Sequence, residues 1–127
     1  MTKPTESELA ILQVLWAKGS ATVRQVHEQL HAGSEKGYTT TLKLMQIMLE
    51  KNLLQRDDSS RTHIYMAAVE ESAVQRNLLS RFVDKTFRGS TTNMVLQALG
   101  QHQASDRELD EIRQLLDRIE QERNPKK

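Results

Sequence analysis

The chain has no cysteine and few aromatic residues, and both shortages narrow its possible functions. Without cysteine, disulfide bonds, thiolate zinc sites and thiol-based redox sensing are excluded. Aromatic residues make up 4% of the 127 residues and charged residues 28%, which is typical of a helical protein with a thin hydrophobic core. This length corresponds to one domain, or to two small subdomains that share their stability.

Long hydrophobic runs are also missing. No apolar stretch approaches the roughly 20 residues of a membrane span, so no direct membrane insertion is expected. The first twenty residues carry Glu6 and Glu8 and lack the basic-then-apolar order of a signal peptide. The expected location is therefore cytoplasmic.

Neither sign of charge dominates, because 18 lysines and arginines face 17 aspartates and glutamates. A protein with this balance binds DNA only if its basic residues cluster on one face or are doubled in a dimer, since neutralised phosphates supply much of the affinity. The charge balance alone does not indicate DNA binding.

Three capping boxes predict where helices begin. In Thr5–Glu8, Thr22–Gln25 and Ser105–Glu108, a hydroxyl residue precedes a glutamate or glutamine by three positions. The two side chains can then bond each other's backbone N–H groups and so cap the first turn. An apolar stripe at helical spacing follows each box. Apolar spacing predicts further helices after Gly37, over Glu70–Phe87 and around Met94–Leu99.

The segment Tyr38–Asn52 (YTTTLKLMQIMLEKN) predicts an amphipathic helix that leads directly into a hairpin. The short strands Leu53–Arg56 and His63–Ala67 flank the polar turn Asp57–Ser60. The predicted fold is mainly α: a winged helix-turn-helix with a small antiparallel hairpin, plus a C-terminal helical dimerisation region. Winged helix-turn-helix proteins chiefly use such a helix in the major groove of DNA.

The outer side of this third helix supplies the candidate DNA contacts. On a helical wheel its buried side carries Thr41, Leu44, Met45, Met48 and Leu49, and the groove-facing set consists of Thr39, Thr40, Lys43 and Gln46. The alternative is that this set is only the solvated side of an amphipathic helix. Ile47 is apolar on the outer side, and it is either a scattered surface residue or a contact for a partner such as a thymine methyl.

Three further residues are candidates for phosphate contacts. Arg61 stands at the return of the wing, the predicted hairpin, where it reaches a phosphate or a minor groove unless it is simply solvated. Thr22 begins the second helix, whose N-terminus can offer backbone N–H groups to a phosphate, and Arg24 can add charge there.

Residues 1–69 are predicted to form the winged-helix DNA-binding domain and residues 70–127 the helical dimerisation domain. The second segment is shorter than about 60 residues and rarely buries enough surface to fold alone. Its apolar stripes therefore need a partner, and a second copy of the chain provides one. The candidate dimerisation residues are Phe82, Val95, Leu99, Ile112, Leu115, Leu116 and Ile119.

The segment His27–His31 reads HEQLH and matches the HExxH pattern of zinc peptidases. The longer form of that pattern needs a histidine at the position of Gly37, and the second helix is short. The two histidines are therefore interpreted as flanking the apolar stripe of an ordinary helix. No catalytic residue, metal site or cofactor is predicted.

Four segments together resemble the BlaI/MecI/CopY family of bacterial repressors, the penicillinase repressors: Glu8–Trp16 (ELAILQVLW), Tyr38–Asn52, Arg61–Tyr65 (RTHIY) and Phe82–Ser90 (FVDKTFRGS). The resemblance implies a homodimeric repressor that binds a palindromic operator in double-stranded DNA. It also implies that a membrane sensor protease system relieves repression through cleavage among the C-terminal helices.

The chain departs from the family's pattern at several positions. Ile47 stands where the family usually has arginine, and Asn52 stands where it usually has glycine. The family's Asn–Phe cleavage bond corresponds here to Gln97–Ala98. The absence of cysteine argues against the copper-responsive branch.

Two other functions compete with repression. A winged helix can serve as a protein-interaction module without sequence-specific DNA binding, which the near-neutral charge permits. A metallopeptidase would carry stoichiometric zinc.

Overall fold

The computed structural model describes residues 3–34, 36–101 and 104–124. In that part of the chain it contains six helices and one two-stranded antiparallel sheet, so the prediction of a mainly α winged helix with a small hairpin is confirmed. The elements in order are α1 (Glu6–Lys18), α2 (Val23–Leu30), α3 (Tyr38–Glu50), β1 (Leu54–Asp57), β2 (Ile64–Ala67), α4 (Glu71–Thr86), α5 (Thr91–Gln101) and α6 (Asp106–Arg123).

The chain divides into two compact units, residues 1–80 and 81–127. The predicted domain boundary at residue 69 lies just before α4, whereas the compact units divide within α4. The first half of α4 carries Val74, whose side chain is fully buried, and it belongs to the first unit.

All three predicted capping boxes are present. The Thr5 hydroxyl accepts a hydrogen bond from the Glu8 backbone N–H at 3.2 Å, and the Glu8 carboxylate accepts one from the Thr5 N–H at 2.9 Å. The same reciprocal pairs start α2 and α6. At α6 the bonds from Ser105 hold the pKa of Glu108 below its ordinary value. The two partners of each box lie only three positions apart, which is why the sequence was sufficient to predict it.

The core of the first unit draws on every element of the winged helix. Buried apolar side chains come from α1, α2, α3, the two strands and Leu53 just before β1. Those in the helices and strands include Ile11, Leu12, Leu15, Val26, Met45, Met48, Leu54 and Tyr65. The Trp16 indole N–H donates to the Val69 carbonyl at 3.0 Å, which ties α1 to the segment after the wing.

The exit from α3 sets the direction of the wing. Asn52 adopts a left-handed conformation with φ of 64°, and the Leu53 N–H donates to the Met48 carbonyl at 2.9 Å, as in a Schellman ending. β1 and β2 then pair with Arg56 opposite Tyr65. Tyr65 also exchanges backbone bonds with Ala21 at 2.8 and 3.0 Å, which anchors the wing beside the start of α2.

The second unit leaves much of its apolar surface exposed. Within the described part of the chain, α5 and α6 contain no buried residue. Of the predicted dimerisation residues, Ile112 is partly covered and the other six are exposed: Phe82, Val95, Leu99, Leu115, Leu116 and Ile119. Gln97 and Ala98, the predicted cleavage position, lie exposed inside α5.

No helix among the described residues combines the length and the apolar character that crossing a membrane requires.

Candidate nucleic-acid interface

The helix α3 presents one polar face to solvent. Thr39, Lys43 and Gln46 are exposed, whereas Met45 and Met48 are fully buried on the opposite side. Thr40 is also exposed. The buried side is held by the core of the first unit, so the exposed side has a defined direction.

Ile47 lies one helical turn after Lys43 and is only partly exposed. Its position on the wheel is about 40° from Lys43, given the roughly 100° step of an α-helix. An apolar side chain therefore stands at the edge of the polar face.

A cleft brings together the other predicted contacts. It has a volume of about 190 Å³ and lies between the start of α2, the start of α3 and the wing. Thr22 and Arg24 line it from α2, and Arg61 and His63 line it from the wing. Arg61 of the wing thus shares one concave surface with Thr22 and Arg24 at the start of α2.

Tyr38 is a residue of this surface that sequence reasoning missed. The guanidinium carbon of Arg24 lies 4.3 Å from the centre of the Tyr38 ring, a cation–π contact between two residues that both line the cleft. The available signal was an aromatic side chain at the first position of α3 in a chain with few aromatics. Its arginine partner lies fourteen residues earlier, and nothing local indicates that pairing.

The negative charges in the turn of the wing are paired with neighbouring groups of the wing itself. The Nε atom of Arg56 lies 2.6 Å from a carboxylate oxygen of Asp58, and bonds with Tyr65 and with Asp58 raise the pKa of Arg56. The Asp57 carboxylate accepts a bond from the Ser59 N–H at 2.9 Å, and its bonds to Ser59 lower the pKa of Asp57. The carboxylates are therefore engaged locally beside the exposed Arg61.

The HExxH segment does not form a metal site. His27 is fully buried, with Nε2 at 2.7 Å from the Ser34 carbonyl oxygen and Nδ1 at 3.0 Å from the Thr41 hydroxyl. His31 is exposed at the end of α2. Flanking the apolar stripe is compatible with this burial, because the adjoining side of α2 packs against α3 and brings the His27 ring to Thr41. Among the described residues, no group of three metal-ligating side chains comes together.

The comparisons with known proteins agree with this geometry. The profile of the penicillinase repressor family matches residues 4–118. The chain is 21% identical over 114 residues to the methicillin resistance regulatory protein MecI of Staphylococcus aureus (strain N315), covering 90% of this chain and 93% of that protein. It is 25% identical over 123 residues to the penicillinase repressor of Bacillus licheniformis, covering 97% and 94%.

A third relative is the transcriptional regulator BlaI of Mycobacterium tuberculosis (strain CDC 1551 / Oshkosh), 29% identical over 103 residues that cover 67% of this chain and 75% of that protein. The family profile spans most of the chain, and these relatives are matched over most of their length. The chain therefore belongs to the penicillinase repressor family, whose members are transcriptional regulators and not enzymes.

Proposed function

We propose that this protein is a DNA-binding transcriptional repressor that places α3 in the major groove of an operator. The observation that carries the proposal is the exposed polar face of α3, with Thr39, Lys43 and Gln46 opposite side chains that are buried in the core. Lys43 donates to a guanine edge or a phosphate. The threonine hydroxyls, including that of Thr40, and the Gln46 amide bond to base edges or backbone oxygens.

The cleft beside α3 is suited to the phosphate backbone that borders the groove. Arg24 and Arg61 both line it, and the N-terminus of α2 after Thr22 adds the positive end of a helix dipole. These groups concentrate positive charge at one place in a chain whose net charge is only +1. Local clustering therefore supplies the affinity that the overall balance does not.

The same proposal includes a homodimer on a palindromic operator. The second unit exposes apolar side chains on successive helices, and half of the Phe82 surface is exposed. A second copy of the chain would cover this surface and repeat α3 at a fixed distance. Half-sites should then lie about one helical turn of 10–10.5 bp apart, or a multiple of it.

Relief of repression by proteolysis also belongs to the proposal. The Gln97–Ala98 bond lies in α5, a helix without buried residues in the described chain, so opening that helix locally should cost little free energy. A membrane sensor protease system that cuts here, or triggers the cut, would separate the α6 stripe from the DNA-binding unit. Repression and its relief would take place in the cytoplasm, where promoter DNA is accessible.

Removal of one proposed phosphate or base contact should weaken binding and flatten its salt dependence. Lys43→Ala and Arg61→Ala are each expected to lower affinity about tenfold and to reduce the slope of log K against log salt by about 1 if the residue contacts a phosphate. The measurement is fluorescence anisotropy with a duplex that the protein has selected from a random pool. The salt concentration is varied from roughly 50 to 300 mM, which brackets cellular ionic strength.

The matched control is Lys18→Ala, which removes an exposed lysine from the last turn of α1 and should leave both quantities unchanged. Unchanged affinity and slope in both interface variants would remove these residues from the interface. Failure of the wild-type protein to select any duplex would instead favour the protein-interaction module.

Ile47 gives a separate prediction about base preference. If its side chain packs on a thymine methyl, replacing the contacted thymine by deoxyuridine should weaken wild-type binding about fivefold, roughly the value of one buried methyl group. Ile47→Ala should bind the two duplexes equally. Replacing each thymine of the half-site in turn and measuring anisotropy identifies the thymine that Ile47 contacts. If wild type and Ile47→Ala lose the same affinity at every thymine, Ile47 is an ordinary surface residue.

A further inference from the structure

The buried His27 connects three segments of the helix-turn-helix. Its Nε2 lies 2.7 Å from the Ser34 carbonyl oxygen in the turn, and its Nδ1 lies 3.0 Å from the Thr41 hydroxyl on α3. A carbonyl oxygen only accepts, so Nε2 carries a proton and donates to Ser34. The partner of Nδ1 is the Thr41 hydroxyl, which also lies 3.3 Å from the Gly37 carbonyl oxygen. One side chain of α2 is thereby bonded to both the turn and the next helix.

This bridge stands at a helix start without a side-chain cap. α1, α2 and α6 begin with capping boxes, but α3 begins after Gly37, which has no side chain to cap it. Gly37 has φ of +87°, and a Cβ atom at that position would lie 3.9 Å from Cε1 of His27. The imidazole thus packs beside the residue that precedes α3 and bonds to the first turn of the helix itself.

The bridge also continues to the DNA-side cleft. The edge of the His27 ring meets the Tyr38 ring at a centroid distance of 5.6 Å and an interplanar angle of 85°. On Tyr38 rests the guanidinium of Arg24, at 4.3 Å. His27, Tyr38 and Arg24 thus form a continuous chain of contacts. Tyr38 and Arg24 also line the cleft.

We propose that His27 is a positioning residue for sequence-specific binding. It sets the start and the orientation of α3 relative to α2, so that Lys43 in the groove and Arg24 at the backbone engage one operator at the same time. The inference rests on the proposed DNA-binding function and adds to it a residue that does not itself touch DNA. An apolar side chain of similar size would fill the space, but it would leave the Ser34 carbonyl and the Thr41 hydroxyl without this partner.

The test compares specific with non-specific binding. His27→Phe and Thr41→Val are each expected to lower affinity for the selected operator about tenfold. Affinity for a scrambled duplex should stay within about twofold, and the salt dependence of that binding should not change, because every lysine and arginine is still present. The double variant should lose less than the product of the two single losses, because both substitutions break one bridge. Thr41→Val changes one hydroxyl to a methyl of the same shape, so it remains informative if His27→Phe does not fold.

The control Val74→Ala trims a fully buried side chain of α4, a helix outside the helix-turn-helix. It should lower the unfolding temperature and leave the ratio of specific to non-specific affinity unchanged, when all proteins are measured well below their unfolding midpoints. A ratio that stays constant in both bridge variants would overturn the proposal. So would a ratio that falls equally in Val74→Ala, because the effect would then follow stability alone.

Amide hydrogen exchange tests the bridge without DNA. Amides of Thr41 and Leu42, at the start of α3, should exchange about tenfold faster in Thr41→Val than in the wild type, and at the wild-type rate in Val74→Ala once global stability is matched with denaturant. If Thr41→Val exchanges faster but the wild-type protein binds no duplex, the DNA-binding function is refuted and the bridge stands. Wild-type exchange rates in Thr41→Val would refute the bridge itself.

Discussion

Leu116→Asp is expected to convert the protein to monomers and to lower operator affinity at least about 100-fold. Leu116 is 54% exposed in the single chain, next to the exposed Leu115 and one turn before Ile119 on the α6 stripe. In a dimer that covers this stripe, a carboxylate would be buried without a partner, which costs several kcal/mol. Two linked half-site contacts gain about 10²–10⁴ in affinity over one, so the loss of the dimer removes that gain.

Sedimentation equilibrium and operator titration measure the two parts of this prediction on the same samples. Gln114→Asp provides the control, because it places the same charge on the exposed opposite side of α6. It should remain dimeric with unchanged affinity. Far-UV circular dichroism checks that the helices persist in Leu116→Asp. A folded variant that still sediments as a dimer would show that the α6 stripe is not the interface.

Lys51→Met is expected to destabilise the first unit by about 2 kcal/mol at neutral pH. The Lys51 ammonium lies 2.8 and 3.0 Å from the two carboxylate oxygens of Glu8, whose side chain is 2% exposed. The pair joins the first turn of α1 to the end of α3. Removing one partner of a buried ion pair costs about 3–5 kcal/mol, and a smaller loss is expected here because the Lys51 side chain is 32% exposed. Methionine keeps the apolar stem, so the loss reports the charge.

The effect should depend on pH in a defined direction. Burial alone raises the pKa of Glu8, but the bonds from Lys51 and Thr5 outweigh it and lower the pKa below the ordinary value of 4.5. A lowered pKa in the folded state stabilises the fold above the unfolded value, and that contribution disappears as the pH falls through the folded value. The difference between wild type and Lys51→Met should therefore be largest above pH 5 or so and shrink below about pH 4.

Urea unfolding followed by circular dichroism measures the difference in unfolding free energy between wild type and Lys51→Met. The pH is varied from about 3 to 7, a range around the ordinary carboxylate pKa of about 4. Lys18→Met, at an exposed position of α1, should lie within about 0.5 kcal/mol of the wild type at every pH. Adding Glu8→Gln to Lys51→Met should recover part of the loss, because no buried charge is then left unpaired. A loss that is independent of pH would mean that packing, rather than charge, is responsible.

The elements that sequence reasoning predicted correctly depend on neighbours within a few residues. The capping boxes, the left-handed Asn52 and the wing strands are all specified by contacts over short distances along the chain. The polar face of α3 was predictable for the same reason, since the helical period alone separates Lys43 from Met45. The roles of the exposed α3 residues in DNA binding remain predictions.

The contacts that sequence reasoning missed join residues far apart in the chain. His27 meets Thr41 fourteen positions away, and Glu8 meets Lys51 forty-three positions away. These pairs form only after α1, α2 and α3 have crossed at particular angles, which no local pattern encodes. The histidine pattern in α2 is the clearest example, because the same five letters suit a zinc peptidase and a buried bridge.

The sequence by itself determined the order of the elements, where the three helices with capping boxes begin, and which side of α3 faces water, because capping and periodicity act within one or two helical turns. Only the tertiary structure decided that His27 is buried, that Arg24 lies on Tyr38, and that Thr22 and Arg61 share a cleft. Those relationships depend on the packing of side chains from different elements, and packing is a property of the whole folded unit.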